Sequence, residues 1–170
     1  MNTLLTLPAV TIQQIRSFEP CYDPSKYFAE DYSGNALDIL QDDRIPSEDK
    51  LWAVCRNEYL DDRTLRLFAV RCARQALDLP SVRAHVDPRS IEVCNVAERF
   101  ANGEATETEL TAANAAARDA ARAAAWDAAW DAAWDAARAA ARAAANAAAW
   151  DAARDAQVQV LIELIKERYQ

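Results

Sequence analysis

The stretch that decides the fold runs from residue 111 to residue 156 and reads TAANAAARDAARAAAWDAAWDAAWDAARAAARAAANAAAWDAARDA. Alanine occupies 28 of the 45 positions between Ala112 and Ala156, and neither glycine nor proline occurs from residue 104 to residue 170. Alanine has the highest helix propensity of all residues. The tract therefore predicts helix, although it is low in complexity.

The length of this tract predicts that it is not a single straight helix. A helix of 45 residues is about 68 Å long, whereas a compact domain of this size is only about 40 Å across. We therefore expect two or three helices folded back on the domain. Bulkier side chains recur at every fourth position of the tract. The tryptophans among them form what we call the tryptophan row: Trp126, Trp130, Trp134 and Trp150. Because indole rings have a large apolar area, we expect this row to be core rather than a ligand surface.

Capping and helix-breaking residues predict short amphipathic helices through residues 1–103. Thr11 with Gln14 and Thr106 with Glu109 have capping-box spacing. One predicted helix starts at Asp23-Pro24 and closes at Gly34, and a second spans Ala36–Gln41. A third starts at the cap Ser47. A fourth spans Asp62–Leu79 after the cap Asp61, and a fifth runs from Asp87-Pro88 to Gly103.

Apolar spacing predicts the inner face of each longer helix. The predicted faces are Leu51, Trp52, Cys55 and Tyr59; Leu65, Phe68, Ala69, Cys72, Ala76 and Leu79; Val93, Cys94, Ala97 and Phe100; and Val158, Leu161, Ile162, Ile165 and Tyr169. Strand-like alternation is absent, so the predicted fold is an all-α multi-helix bundle with no β-sheet. We expect a single domain over 1–170, in which short helices occupy 1–103 and the Ala-rich region and a C-terminal amphipathic helix occupy 104–170.

Composition argues against most common enzyme classes. The two glycines, Gly34 and Gly103, are too far apart for a phosphate-binding loop. The single histidine, His85, leaves no histidine-based metal cluster, and the four cysteines include no CxxC pair. We therefore expect no catalytic residue, cofactor or metal, and a satisfied loop position for His85.

The cysteines and the N-terminus indicate the compartment. Four reduced and mostly buried thiols are typical of a cytoplasmic protein. The N-terminus has no basic leader, and no uncharged apolar run is long enough to cross a membrane. A cytoplasmic location is the prediction.

The charge of the chain points to the kind of partner. The net charge is −8, which disfavours direct binding to nucleic acid or to an anionic membrane. Acidic residues concentrate in two clusters, Asp38, Asp42, Asp43, Glu48 and Asp49, and the row Asp127, Asp131 and Asp135. These clusters are our candidate partner-binding residues, suited to a basic partner such as a nuclease. The simpler interpretation of the aspartate row is a solvated helix face.

Three segments resemble bacterial immunity proteins of polymorphic toxin systems, the immunity-protein-five-like family. They are DKLWAVCRNEYLDDRTLRLFAVRCARQALDL (49–79), DPRSIEVCNVAERFANGEATETEL (87–110) and the Ala/Arg/Trp/Asp tract that ends in RDAQVQVL (154–161). The resemblance covers about residues 35–165. It implies a cytoplasmic protein that protects its producer by binding a cognate toxin, and it carries over no functional residues.

Three alternatives stay open at this level. A phage or mobile-element protein would inhibit a host defence enzyme through an acidic, nucleic-acid-mimicking surface. An enzyme would need carboxylates, a cysteine or a metal held by aspartate and glutamate. A structural module would oligomerise through the alanine helix, although its four-residue repeat is not a heptad.

Overall fold

The computed structural model describes residues 5–79, 83, 86–132 and 139–169, with side chains left undescribed from 120 to 150. This part of the chain is mostly helical, as predicted. Its seven α-helices are α1 (Ile12–Ser17), α2 (Ala36–Gln41), α3 (Ser47–Val54), α4 (Asp62–Leu77), α5 (Pro88–Ala101), α6 (Glu107–Ala132) and α7 (Ala139–Arg168). A 3-10 turn (Pro24–Lys26) and two short strands, β1 (Val10–Thr11) and β2 (Ser33–Gly34), complete the elements.

The small sheet corrects the prediction of a fold without β-structure. β1 and β2 pair antiparallel, with Val10 opposite Gly34 and Thr11 opposite Ser33. A strand of two residues is too short to show the alternation on which strand prediction depends. The predicted helix from Asp23 to Gly34 is also wrong beyond its first turn. Asp23 does cap that turn, but Gly34 belongs to β2 instead of closing a helix.

Several predicted caps are confirmed. Thr11 and Gln14 form a reciprocal capping box at α1. The Thr106 hydroxyl accepts from the Glu109 amide, and the Glu109 carboxylate accepts from the Thr106 amide at 2.8 Å. At α5, hydrogen bonds from the Arg89 side chain and backbone hold the pKa of Asp87 at about 2. After α5, Gly103 has φ +76°, a left-handed conformation that favours glycine.

Helix α3 corrects two predictions. Its N-cap is Pro46 rather than Ser47, and no side chain caps its first turn through a local hydrogen bond. Its buried residues are Lys50, Ala53 and Val54, whereas the predicted Leu51, Trp52 and Cys55 are half-buried. Tyr59 is buried but lies beyond the end of the helix. Trp52 is held at the edge of the core because its ring lies under the Arg56 guanidinium and beside Tyr22.

Helix α4 begins as predicted, because the Asp61 carboxylate accepts from the Thr64 amide at 2.8 Å. It ends at Leu77, two residues earlier than expected. The predicted inner face is only partly correct. Leu65, Phe68 and Cys72 are half-buried, and Ala69, Ala76 and Leu79 are exposed. The buried positions of α4 are Thr64 and Val70.

The chain divides into two compact units, which we call unit 1 (Met1–Leu65 and Ala153–Gln170) and unit 2 (Arg66–Ala152). In unit 1 the predicted C-terminal face is confirmed, because Val158, Leu161, Ile162, Ile165 and Tyr169 are all buried. This segment docks on the N-terminal part of the unit. The Tyr169 hydroxyl accepts from the Asp61 amide, and Arg168 forms an ion pair with the Asp61 carboxylate. The single domain over 1–170 stays a prediction.

The four cysteines form no disulfide bond, but the expectation that they are mostly buried is wrong. Cys94 is buried, Cys55 and Cys72 are half-buried, and Cys21 is exposed. Burial raises the pKa of the Cys72 and Cys94 thiols.

The Ala-rich tract is covered by α6 and α7, on either side of residues 133–138. The tryptophan row and His85 lie outside the residues whose side chains the structure describes. Among the described helices, none has the length and hydropathy needed to cross a bilayer.

Candidate functional site

The structure gives most of the predicted N-terminal acidic cluster a local role. The Asp38 carboxylate accepts from the Asn35 amide at 2.7 Å as part of the capping box of α2. Asp42 pairs with Arg44 at 2.6 Å, and Glu48 pairs with Arg154 at 3.2 Å. A hydrogen bond or an ion pair within the fold therefore already uses each of these three carboxylates.

Asp49 and Asp43 differ from the other members of the cluster. Asp49 is half-buried, burial raises its pKa, and it accepts a hydrogen bond from the Tyr27 hydroxyl at 3.4 Å. Asp43 is exposed and makes no hydrogen bond or ion pair with any residue that the structure describes. Only Asp43 is therefore an uncompensated carboxylate within this cluster.

The second predicted cluster is not tested at the level of side chains. Asp127 and Asp131 lie in α6, within the segment whose side chains are undescribed, and Asp135 lies outside the described residues. The aspartate row as a partner-binding surface stays a prediction.

Asp43 lines a polar pocket of unit 1, which we call the Lys50 pocket. Its volume is about 440 Å³. The lining residues come from the turn before α3, from α3 itself and from the C-terminal part of α7: Asp43, Ile45, Pro46, Ser47, Lys50, Asp155, Val158 and Gln159. Two segments more than 100 positions apart in the sequence thus build one pocket, which no local motif predicts.

Asp155 connects the two walls of the pocket. The Ser47 hydroxyl donates a hydrogen bond of 2.5 Å to the Asp155 carboxylate. The first turn of α3 already contains Glu48 and Asp49, and this carboxylate from α7 adds further negative charge of the kind that a helix N-terminus favours. The neighbouring pair of Glu48 and Arg154 adds a second link between the same walls.

Lys50 is the unusual member of the lining. It is 7 % exposed, although lysine is rarely buried unless its charge is paired. Within the described part of the chain, its ammonium makes no hydrogen bond or ion pair. The pKa of the Asp42 carboxyl group is lowered mainly by its hydrogen bond with Arg44. The positive charge of Lys50 is close enough to lower the pKa of Asp42 further. Sequence reasoning missed Lys50, because a lysine in an amphipathic helix normally marks the solvated face.

Ser47 and Lys50 have the S-x-x-K spacing of some serine acyl-transfer enzymes. Such chemistry requires a hydrogen bond between the serine and its base. Here the Ser47 hydroxyl donates to Asp155, and no hydrogen bond joins it to Lys50 among the described residues. The arrangement supports a binding pocket rather than an activated nucleophile.

The pocket does not assemble a metal site from described residues. Groups of three or more histidine, cysteine, aspartate or glutamate side chains placed to hold a metal ion are absent from the described part of the chain. Asp43 and Asp155 are two carboxylates, and Lys50 contributes a competing positive charge. The lining is suited to hydrogen bonding with a ligand that itself has donors and acceptors.

Unit 2 contains an apolar groove of about 520 Å³ on α4, α5 and α6. Its wall includes Val70, Val93, Phe100 and Leu110, and the Arg66 guanidinium lies 4.8 Å from the centre of the Phe100 ring. The Cys94 thiol also lines the groove, but its raised pKa disfavours the reactive thiolate. The groove therefore offers hydrophobic contact rather than nucleophilic chemistry.

Comparisons with known proteins give no relative from which a function can be transferred. No family model, curated protein or solved structure matches this chain. The resemblance to immunity proteins stays a prediction.

Proposed function

We propose that this protein is a cytoplasmic immunity protein that binds a cognate toxin stoichiometrically and neutralises it by covering part of its surface. The observation that carries the proposal is the exposed Asp43 carboxylate, which lines the Lys50 pocket together with Asp155. Uncompensated carboxylates at a concave surface attract a basic partner and guide its orientation. The proposal assigns no catalytic reaction to the protein.

The charge of the whole chain supports the same interpretation. A net charge of −8 produces a field that accelerates encounter with a basic protein, most strongly at low salt. The resemblance to toxin-neutralising proteins gives the expected partner, a basic toxin or nuclease-type enzyme. Direct contact with nucleic acid is not part of the proposal.

Co-expression with candidate toxin domains encoded in the same genomic neighbourhood is the direct test. We expect the protein to restore growth of cells that produce the toxin and to elute with it as a stable complex in size-exclusion chromatography. A matched culture with an unrelated acidic helical protein controls for nonspecific charge effects. If the protein gives neither growth nor a complex, the proposed function is wrong.

Charge reversal tests whether unit 1 contributes the acidic surface. In Asp43→Lys we expect the association rate with the toxin to fall about fivefold at low salt, and its salt dependence to weaken. Glu163→Lys, at an exposed position of α7, makes the same charge change and is the control. An equal loss of rate in both variants would show that net charge, and not the pocket, guides the encounter. Asp127→Lys combined with Asp131→Lys applies the same test to the aspartate row.

A further inference from the structure

We infer that the Lys50 pocket is the docking point for an arginine side chain of the partner, presented on a segment whose main-chain carbonyl accepts a hydrogen bond from Lys50. This inference rests on the proposed function and specifies what the acidic surface recognises. It is carried by two independent observations. The lining contains the carboxylates Asp43 and Asp155, and it contains the Lys50 side chain, a residue that is 7 % exposed and makes no hydrogen bond or ion pair among the described residues.

The carboxylates select a cationic group. Asp43 makes no hydrogen bond or ion pair among the described residues, so none of these residues competes with a ligand for its acceptor positions. Asp155 accepts from the Ser47 hydroxyl through Oδ1, and no bond to Oδ2 occurs in the described part of the chain. The lining thus presents two carboxylates against the single charge of Lys50. A cation is favoured by this balance.

Lys50 selects the second group of the ligand. The Lys50 residue as a whole is 7 % exposed, and its ammonium has no acceptor among the described residues, so it is available to donate to a ligand in the pocket. A ligand carboxylate or phosphate would satisfy Lys50 but would face Asp43 and Asp155. A neutral carbonyl oxygen accepts from the ammonium without that repulsion. The pocket therefore favours a ligand that combines a cation with a neutral acceptor.

An arginine residue in a peptide chain meets both requirements. Its guanidinium has five donors in a planar fork and can bond to two carboxylates at once, whereas a lysine ammonium is a compact point charge. Its own main-chain carbonyl supplies the neutral acceptor. The pocket, at about 440 Å³, is large enough for a long side chain together with part of its backbone.

The test is a titration of the full-length, isotope-labelled protein with N-acetyl-arginine-N-methylamide, followed by amide chemical shifts. We expect saturable shifts at Ser47, Lys50, Asp155 and Gln159. The matched probe N-acetyl-norleucine-N-methylamide keeps the backbone and the apolar stem but has no charge. Guanidinium chloride, at the same ionic strength, keeps the charge but has no carbonyl.

Two variants test which residue of the pocket binds each group of the ligand. Asp43→Asn should weaken binding of the capped arginine at least about fivefold, because a charge-assisted hydrogen bond is lost. Lys50→Met keeps the buried stem and should remove the preference for capped arginine over guanidinium ion. Glu163→Gln should change neither value. If Lys50→Met does not fold, Asp43→Asn still tests the cationic group, since Asp43 is exposed and has no described partner. The neutral acceptor is then tested on the wild-type protein, where guanidinium ion binding as tightly as capped arginine would contradict it.

Three results would overturn the inference: the absence of saturable shifts, equal shifts with capped norleucine, or tighter binding of capped arginine by Lys50→Met. These results differ from failure of the proposed function, which is tested by growth rescue and complex formation. Rescue by Asp43→Asn together with loss of the peptide binding would place the toxin on another surface. Binding of capped arginine without growth rescue would support the arginine-binding pocket and contradict the proposed toxin neutralisation.

Discussion

Units 1 and 2 are stabilised in different ways. The core of unit 1 contains bulky side chains that are completely or almost completely buried, among them Ile12, Ile15, Leu161, Leu164 and Ile165. Among the described side chains of unit 2, the buried apolar set is Val70, Cys94 and Val96. Unit 1 therefore depends on tertiary packing for its helices, some of which have only six residues.

The difference between the units follows from two properties of alanine, its high helix propensity and its small side chain. An alanine tract forms helix with little help, because local propensity favours it. Alanine has little side-chain area to bury, so packing contributes less stability per residue than it does for leucine or isoleucine. Short helices such as α1 and α2 are not stable alone and form only where a core holds them. Stability of unit 1 is thus sensitive to single core side chains.

The largest predicted effect is therefore in the unit 1 core. Ile165→Ala should lower the free energy of unfolding by about 3 kcal/mol, because it removes a fully buried side chain and leaves a cavity. Chemical denaturation followed by circular dichroism measures the change. Glu163→Ala, exposed on the same helix, should stay within about 0.5 kcal/mol of the wild type. A loss below about 1 kcal/mol for Ile165→Ala would remove the contrast between the units.

A backbone substitution tests unit 2, where few large side chains are buried. Gly103→Ala should lower the free energy of unfolding by about 1.5 kcal/mol, because φ is +76° at this position. An added Cβ meets nothing within 4 Å, so the cost is conformational and not steric. Gly103→Asn, which tolerates the left-handed region better, should cost less. Equal losses in both variants would contradict this explanation.

The ion pair of Asp61 and Arg168 gives a smaller effect that depends on pH. Burial raises the pKa of Asp61, but hydrogen bonds from Thr64 and Arg168 outweigh it and the net pKa is lowered. A lowered pKa stabilises the folded state above the ordinary aspartate pKa, and this stability is lost as the pH falls through the folded value. Asp61→Asn keeps the N-cap and should cost about 1 kcal/mol at neutral pH. The difference from the wild type should shrink in acid, as measured by urea denaturation at pH 7 and pH 3.

The smallest effect concerns reactivity and leaves stability unchanged. With a thiol reagent under native conditions, Cys21 should react first, because it is exposed. Cys94 should react last, because it is buried and its raised pKa reduces the thiolate fraction. Mass spectrometry of time points gives the order. Early modification of Cys94 would show that unit 2 opens readily and would sharpen the contrast with unit 1.

The sequence predicts the helical class and many of the helix ends, because caps depend on neighbours a few residues apart. Thr11 with Gln14, Asp61 with Thr64 and Asp87 with Pro88 are signals of this local kind. The sequence fails where the cause is distant. The strand pair between Val10 and Gly34 and the link between Ser47 and Asp155 join positions that no periodic pattern connects.

The candidate site was predictable only in part, for the same reason. Charge density identified Asp43 along with four neighbours, but could not separate it from Asp42 and Glu48, which bond to arginines. Lys50 was missed because burial of a charged residue depends on the tertiary fold. Asp155 was missed because α7 brings it from the opposite end of the sequence to α3.

The composition of unit 1 has a consequence for biosynthesis. Residues 153–169, which supply Leu161, Ile165 and the Asp155 carboxylate, leave the ribosome long after residues 5–65. Until they emerge, the nascent N-terminal helices lack the buried side chains that these residues contribute to the core of unit 1. Packing of segments that are so far apart in the sequence is slow. We therefore expect chaperones and proteases to have access to the N-terminal segment during this interval.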